Sequence, residues 1–179
     1  NLILRGKKMK QKPNQTSKII QLYLDFCKEM EAKPEKDAED DCVYTLNYQT
    51  RNGNIHCCTR FFEEYEEMVV KNYTPINLIE SRLLSLYKLA NAINSTLDNH
   101  SLVLFPEDNL VMVRNSAPYS RLLLEADLLN VVIESGVSVL NHFIPAFHLV
   151  SYGTMDVDKA LETIDRLEHT QDMVEDLPN

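Results

Sequence analysis

The residues best suited to chemistry in this sequence are three neighbours, His56, Cys57 and Cys58. Imidazole and thiolate groups bind zinc, and a thiolate activated by an imidazole is a common enzyme nucleophile. A structural zinc site needs about four such ligands, usually from pairs spaced C-x2-4-C, and that spacing is absent. A small metal-binding or thiol-dependent enzyme that uses His56 and Cys58 is therefore the alternative interpretation.

The segment that carries these residues is predicted to be a β-strand. CVYTLNYQT and IHCCTRFF flank Asn52-Gly53, a pair typical of two-residue hairpin turns. Successive side chains of a strand point to opposite faces, so His56 and Cys58 lie on a polar face and Cys57 on an apolar one. A thiolate in the middle of a polar strand face lacks the held base and oxyanion site that catalysis requires.

The turn also predicts which residues of the two strands lie opposite each other. With Asn52-Gly53 as the turn, Arg51 pairs with Asn54 and Tyr48 lies opposite Cys57. The apolar face then carries Cys42, Tyr44, Leu46, Tyr48, Ile55, Cys57 and Phe61.

No other pattern indicates catalysis or cofactor binding. None of the four glycines stands in a phosphate-binding arrangement such as G-x-x-x-x-G-K. The carboxylates at Glu63–Glu67 and Asp37–Asp41 lack the apolar surroundings that raise a carboxyl pKa for acid catalysis. His142 and His148 are interpreted as structural residues at the edge of the core. We expect no enzymatic activity, no catalytic or metal-binding residue and no cofactor.

The charge of the chain argues against several classes of partner. The 179 residues carry a formal net charge of -9, whereas nucleic-acid binding requires a basic surface. The one basic cluster lies within Arg5–Lys18 and is interpreted as a solvated tail. No run approaches the ~20 apolar residues of a membrane span. We therefore expect neither nucleic acid nor membrane as a partner.

Cysteine usage and length indicate one cytoplasmic domain. Four cysteines, two of them adjacent, form no disulfide framework of the kind found in small secreted domains. We expect a flexible basic tail over 1–16, a single domain over 17–168 and an acidic, frayed tail over 169–179. Met9 offers an internal start.

The first half of the predicted domain contains a helix and three strands. Thr16 or Ser17 can cap a helix whose apolar residues recur at helical spacing. The charged segment 31–41 follows as a mobile link. The hairpin and a third strand near Glu67–Tyr73 then form a meander.

The second half contains a helix, two strands and two further helices. Thr74-Pro75 is typical of a helix start, and this helix is expected to end near Asn94. The strands SLVLF and LVMV precede a long helix over Tyr119–Phe147, which Gly136 or Pro145 bends or ends, and a short amphipathic helix. The order α-βββ-α-ββ-α-α predicts an α+β domain with an antiparallel sheet packed against helices.

Three stretches share the outline of a known family: MVVKNYTPINLIESRLLSLYKLANAINS, SLVLFPEDNLVMVRNS and LLLEADLLNVVIESGVSVLNHFIPAFHLVSYG. A proline-led helix ends at Asn94, a hairpin has an acidic pair in its turn, and a helix closes near Pro145 and Gly153. In this outline the chain resembles the bacterial YbjN family, which is similar in fold to the type III secretion chaperones. Family members often carry a glycine after the second helix, where this chain has Asp98-Asn99-His100.

The resemblance implies a non-enzymatic, cytoplasmic and frequently dimeric domain that binds other proteins or regulates them. No family catalytic residues exist to be transferred to this chain. The likeness extends over about Ser17 to Leu167.

The second hairpin is the candidate interface, because it is apolar on both faces. A two-stranded ribbon turns only one face to its own helices, so the other is expected to contact a second copy or a client protein. The two side-chain sets are Val103, Phe105, Leu110 and Met112, and Leu102, Leu104, Val111 and Val113. The leading hypothesis is a homodimeric protein-binding module with an unidentified client.

Overall fold

The computed structural model describes residues 15–175, with side-chain positions as far as Leu167. Six antiparallel strands form one sheet. They are β1 (Glu35–Lys36), β2 (Val43–Gln49), β3 (Asn54–Phe62), β4 (Glu67–Pro75), β5 (Ser101–Phe105) and β6 (Leu110–Pro118). Their order across the sheet is β1-β2-β3-β4-β6-β5. Most of the predicted basic tail, including Met9, lies outside the described residues.

The described residues also form five α-helices. They are α1 (Gln15–Glu29), α2 (Leu83–Asn94), α3 (Tyr119–Leu124), α4 (Asp127–Ser151) and α5 (Val157–Glu175). The predicted α+β class with an antiparallel sheet is confirmed, and α2 ends at the predicted residue. The strand β1 and the division of the long helix into α3 and α4 were not predicted. Helix α5 also continues past 168, where the domain was expected to end, and 176–179 lie outside the described residues.

Helices pack on one face of the sheet, which we call the inner face. It carries Leu46, Cys57, Val70, Leu102 and Val113, one from each long strand. Helix α1 buries Ile19, Tyr23 and Cys27 against the β2–β3 end, because residues four apart lie on one stripe of a helix. The rings of Tyr23 and Phe61 are 5.6 Å apart there. A second cluster joins α2, α4 and α5 to β5 and β6. Cys27 is a core residue, as predicted.

The charged segment 31–41 contains a strand and turns, and the prediction of a mobile link was wrong. The Asp37 carboxylate accepts hydrogen bonds from the N–H groups of Glu39 and Asp40 at 2.8 and 2.9 Å. The Asp40 carboxylate accepts the N–H of Cys42 at 2.9 Å. Such side-chain turns reverse the chain locally, and this lets β1 pair with β2.

The first hairpin has a different turn from the predicted one. Thr50 donates its N–H and its hydroxyl to the carbonyl of Gly53, so Arg51-Asn52 forms the turn. Every cross-strand pair is therefore shifted by two residues, and Tyr48 lies opposite Ile55. A shift of two leaves each side chain on its predicted face, because strand side chains alternate with a period of two.

A contact with helix α4 explains this turn. The N–H of Asn52 donates to Asn141 Oδ1 at 3.2 Å, and Asn52 Nδ2 donates to the Asn141 carbonyl at 2.9 Å. Both bonds require Asn52 at the tip of the hairpin. The sequence on either side of the turn does not contain this information.

The prediction that Thr74-Pro75 starts a helix was wrong. The Thr74 hydroxyl donates to the Asn54 carbonyl at 3.0 Å, so it does not cap a helix, and the pair ends β4 instead. The N–H groups of Ile76 and Leu78 donate to the carbonyl and the side-chain oxygen of Asn109, each at 2.9 Å. These bonds keep the chain extended, and α2 begins only after a short 3-10 turn.

The long apolar segment after β6 forms two helices. The break lies between Leu124 and Asp127, and α4 continues through Gly136 and Pro145, where a bend or an end was predicted. Proline lacks an N–H, so Pro145 leaves one helical carbonyl, that of Asn141, without its usual donor. Asn141 is the residue bound by the first hairpin, which explains how the helix accommodates the proline.

Helix α4 is long and apolar enough to cross a bilayer by length and composition. Its apolar residues have a structural role in this fold. Leu129 and Ile133 belong to one core cluster, and Leu140, Ile144 and Phe147 belong to the other. The helix therefore joins the two parts of the core.

Candidate interaction surfaces

The three residues His56, Cys57 and Cys58 are separated by the sheet. His56 is exposed on the face opposite the helices, which we call the outer face, and its Nδ1 lies 2.9 Å from Asn47 Oδ1. Cys58 is partly buried on the same face, and Cys57 is 1% exposed in the core. Among the side chains described, those of residues 15–167, no group of three or more His, Cys, Asp and Glu is arranged to hold a metal ion.

The thiols in this segment are not activated. Burial raises the pKa of Cys57 to about 12. Burial also raises the pKa of Cys58, although the nearby cations Lys71 and Arg60 act in the opposite direction. A reactive cysteine requires a lowered pKa, because the thiolate is the nucleophile. This arrangement therefore favours a structural role for both cysteines.

The structure places the two side-chain sets of the second hairpin on opposite faces. Val103 pairs with Met112, and Phe105 pairs with Leu110. The core set is Leu102, Leu104, Val111 and Val113, which lie 0–8% exposed beneath α2 and α4. The other set, Val103, Phe105, Leu110 and Met112, faces outward, with Val103 38% exposed.

No helix covers the outer face within the described part of the chain. Its exposed side chains include Asn47, His56, Val103 and Arg114. Val69 and Met112 are nevertheless only 2% and 5% exposed there, and they belong to neither core cluster. Met112 lies between Tyr73 and Val103 in one cross-strand row, which we call the apolar row. Val103 is the exposed member of this row, and exposed apolar side chains without a covering helix are typical of surfaces that bind partners.

A second cross-strand row on the outer face is cationic. Lys71 of β4 lies directly opposite Arg114 of β6, with Cys58 and Ser101 beyond them. Among the side chains of residues 15–167 neither Lys71 nor Arg114 forms an ion pair, whereas Arg60 on the same face pairs with Asp40 at 3.1 Å. Like charges directly opposite on a sheet are unfavourable. In a chain of net charge -9, this local positive charge is compatible with an anionic partner.

The outermost strands of the sheet, β1 and β5, are poorly suited to pairing with another strand. On one side β1 has only 2 residues, both exposed and charged. On the other side, the Asn94 side chain occupies the free edge of β5. Its Nδ2 donates to the Leu102 carbonyl at 2.9 Å, and its Oδ1 accepts the Leu102 N–H at 2.8 Å.

A cleft of about 500 Å³ opens where β6 extends beyond β5. The loop Asp98–Ser101, the last part of β6, Arg121 and one side of α4 form its walls. His100 Nε2 lies 3.0 Å from the hydroxyl of Ser135 in this cleft, and Asn115 Nδ2 donates to the Val132 carbonyl at 2.5 Å. Sequence reasoning missed this arrangement, because no local pattern relates residues that far apart.

The His100–Ser135 pair resembles part of a catalytic dyad, but its surroundings favour a structural role. Burial lowers the pKa of His100, so the imidazole is neutral at pH 7. Within the described residues, no carboxylate hydrogen-bonds His100 to orient it as a base. The Ser135 hydroxyl also lies 3.4 Å from Asn115 Nδ2, as part of a polar network in the wall of the cleft.

Comparison with known proteins shows the fold. No family model and no curated protein sequence matches the chain. The structure of the ExsC–ExsE complex is similar, with a TM-score of 0.54 and 12% identity over 78% of this chain and 97% of that chain. YbjN from E. coli, a candidate transcription regulator, has a TM-score of 0.50 and 12% identity over 73% and 91%. The HopA1–SchA chaperone–effector complex has a TM-score of 0.48 and 14% identity over 74% and 94%. The chain has a YbjN-like fold of the type III secretion chaperone kind, as the resemblance in its sequence predicted.

Proposed function

We propose that this protein is a non-enzymatic protein-binding module with a chaperone-like or regulatory role, and that it binds an acidic partner protein on its outer face. The observation that carries the proposal is the juxtaposition of the apolar row and the cationic row on a sheet face that no described helix covers. ExsC, which shares the fold, was solved in complex with another protein, and this supports a binding role.

The charges of this face favour an acidic partner over a second copy. Two copies that met through their outer faces would bring Lys71 and Arg114 of both chains into one interface. The outer-face carboxylates Asp40 and Glu67 already bind Arg60 and Ser116. An acidic segment with large apolar residues would pair with the two cations and cover Val103, the exposed member of the apolar row. Charge complementarity of this kind contributes mainly to specificity and association rate.

The proposal includes a homodimer through a different surface. Leu84 and Tyr87 on α2 are 72% and 50% exposed, and residues three apart on a helix are neighbours. A second copy is therefore expected at this helix. The proposal also includes the single domain over 17–168 and a cytoplasmic location, which is supported by the free state of all four cysteines.

Selection from a displayed library of random twelve-residue peptides tests the main proposal without a known client. Enriched peptides should combine Asp or Glu with large apolar residues. A synthetic copy should bind about tenfold more weakly to the Lys71→Glu variant, a loss of ~1.4 kcal/mol. Val103→Glu should weaken binding as well, because it repels an acidic peptide.

The matched control is Lys159→Glu, which reverses an exposed cation on α5. Circular dichroism confirms that each variant is folded. Enrichment of basic peptides, or equal binding by Lys71→Glu and Lys159→Glu, would contradict the proposal. Light scattering of Leu84→Glu tests the dimer separately, since only this variant should become monomeric.

A further inference from the structure

Strand β6 has a free edge along its last residues. Its pairing with β5 ends at Ser101 opposite Arg114, whereas its pairing with β4 continues to Pro118. The segment Asn115–Pro118 therefore has a strand on one side and the cleft on the other. At about 3.3 Å per residue this edge is about 10 Å long, enough for a short added strand.

The hydrogen-bonding groups at this edge can be assigned from the alternation of the strand. The backbone groups of Leu102 point away from β6, because they bind Asn94. In an antiparallel pair, the backbone groups of successive residues point alternately toward and away from the partner strand. The backbone groups of Ser101 and Arg114 therefore point toward each other. Two residues further along β6, those of Ser116 point to the same side as those of Arg114. The N–H and carbonyl of Ser116 thus point into the cleft, where no strand pairs with them.

The Ser116 side chain has a different role. Its hydroxyl donates to Glu67 Oε1 at 2.7 Å on the outer face. A ligand in the cleft can therefore bond to the backbone of Ser116, whereas the side chain of Ser116 is bound to Glu67. This leaves a donor and an acceptor spaced as a neighbouring strand requires.

The walls of the cleft differ in chemistry. Helix α4 contributes Leu128, Val131 and Val132, and Val131 is 58% exposed. Arg114 and Arg121 also line the cleft, and neither forms an ion pair with a side chain described as far as Leu167. Asp98 is the single carboxylate among the lining residues. An extended chain in this position would point alternate side chains toward α4 and toward the outer face. Apolar side chains would then contact α4, and acidic side chains between them would pair with the arginines.

We infer that this cleft binds an extended segment of the partner protein, with alternating apolar and acidic side chains, as a short strand added to β6. The inference rests on the proposed function and places an extended segment of the partner in the cleft beside β6. The segment would pair with Ser116, cover Val131 and neutralise Arg121. It would continue from the cationic row through Arg114, which borders both surfaces.

A labelled eight-residue peptide of alternating Glu and Val tests this inference by fluorescence anisotropy with the full chain. Arg121→Glu should weaken binding about tenfold or more, and Lys159→Glu should not change it. A peptide with Lys in place of Glu should bind much more weakly. Methylation of alternate peptide nitrogens should also weaken binding, because it removes the donors that strand pairing needs.

Ser116→Pro tests the pairing from the side of the protein, since it removes the N–H that points into the cleft. Ser116→Ala is its control, because both variants lose the bond to Glu67. Binding that is weakened by Ser116→Pro and retained by Ser116→Ala supports strand addition. If Ser116→Pro fails to fold, the methylated peptide still decides the question.

Two results would overturn the inference. Equal affinity of the methylated and unmethylated peptides would exclude strand pairing. Binding that is lost in Lys71→Glu and unchanged in Arg121→Glu would agree with the outer-face proposal and would exclude the cleft as the site of the extended segment. Binding of library peptides that is insensitive to Lys71→Glu would instead contradict the proposed function itself.

Discussion

Asn52 at the tip of the first hairpin binds the one carbonyl of helix α4 that Pro145 deprives of its helical donor, the carbonyl of Asn141. The Asn52 side-chain amide donates to this oxygen at 2.9 Å, and the Asn52 N–H donates to Asn141 Oδ1 at 3.2 Å. A turn thus completes the hydrogen bonding of a helix that lies far away in the sequence. This contact couples the position of α4 to the register of the sheet.

Replacing Asn52 tests this coupling. We expect Asn52→Ala to lower the free energy of unfolding by about 1–2 kcal/mol, because the Asn141 carbonyl loses its partner. In a Pro145→Ala background, the alanine N–H can bond to the same carbonyl, so the cost of Asn52→Ala should be smaller. Urea unfolding of the four proteins gives this double-mutant cycle. Equal costs in the two backgrounds would show that the carbonyl is not the shared element.

The bond between Asn94 and Leu102 gives a second prediction. Asn94→Ala should destabilise the protein by about 1–2 kcal/mol and expose the edge of β5 to association with other chains. Urea unfolding measures the first effect, and light scattering over a range of concentrations measures the second. Asn91→Ala is the control, since Asn91 is an exposed residue of the same helix. No difference between the two variants would mean that Asn94 does not protect the edge.

Gly136 allows α4 to approach the sheet closely. A methyl group at this position would overlap the amide nitrogen of Asn72, which is 0% exposed, and would lie 3.4 Å from Asn115 Oδ1. Gly136→Ala should therefore lower the melting temperature, with a cost of about 1–3 kcal/mol for overpacking. The cost should be smaller in an Asn72→Ala background, which makes space for the methyl group. Thermal unfolding that shows the full cost in both backgrounds would exclude Asn72 as the source of the clash.

His100 should make stability depend on pH in a defined range. Burial lowers its pKa in the folded state from the ordinary value of 6.5. As the pH falls through 6.5, the unfolded chain takes up a proton before the folded chain does, so stability present above this pH is progressively lost below it. His100→Gln should reduce the difference in urea stability between about pH 7.5 and pH 5.5. An unchanged difference in His100→Gln would show that this histidine is not the source of the pH dependence.

The alternation of side chains was sufficient to predict the two faces of the sheet. Cys57 is in the core and His56 is exposed, because a period of two assigns faces whatever the register. The same alternation predicted the two side-chain sets of the second hairpin, with Val103 and Met112 in one set and Leu104 and Val111 in the other. These features depend on neighbours in the chain, and the sequence alone therefore determined them.

Other features depend on contacts between distant residues, and only the tertiary structure decided them. Asn141 of α4 lies 89 residues from Asn52, and its contact with Asn52 shifts the first turn by one residue from the predicted position. Asn109 kept Ile76 and Leu78 extended where the local Thr74-Pro75 signal favoured a helix. Each of these hydrogen bonds satisfies a polar group that would otherwise be unpaired, and this gain outweighs a weak local preference.

The candidate cleft also depends on contacts between residues that are distant in the sequence. The strands SLVLF and LVMV predict a hairpin but not how far the second strand extends beyond the first. That difference in length exposes Ser116, and the packing of α4 places Val131 beside it. The sequence by itself determined which residues face the core and which face away. The tertiary structure decided which backbone groups remain unpaired, because pairing depends on where each strand meets its neighbours.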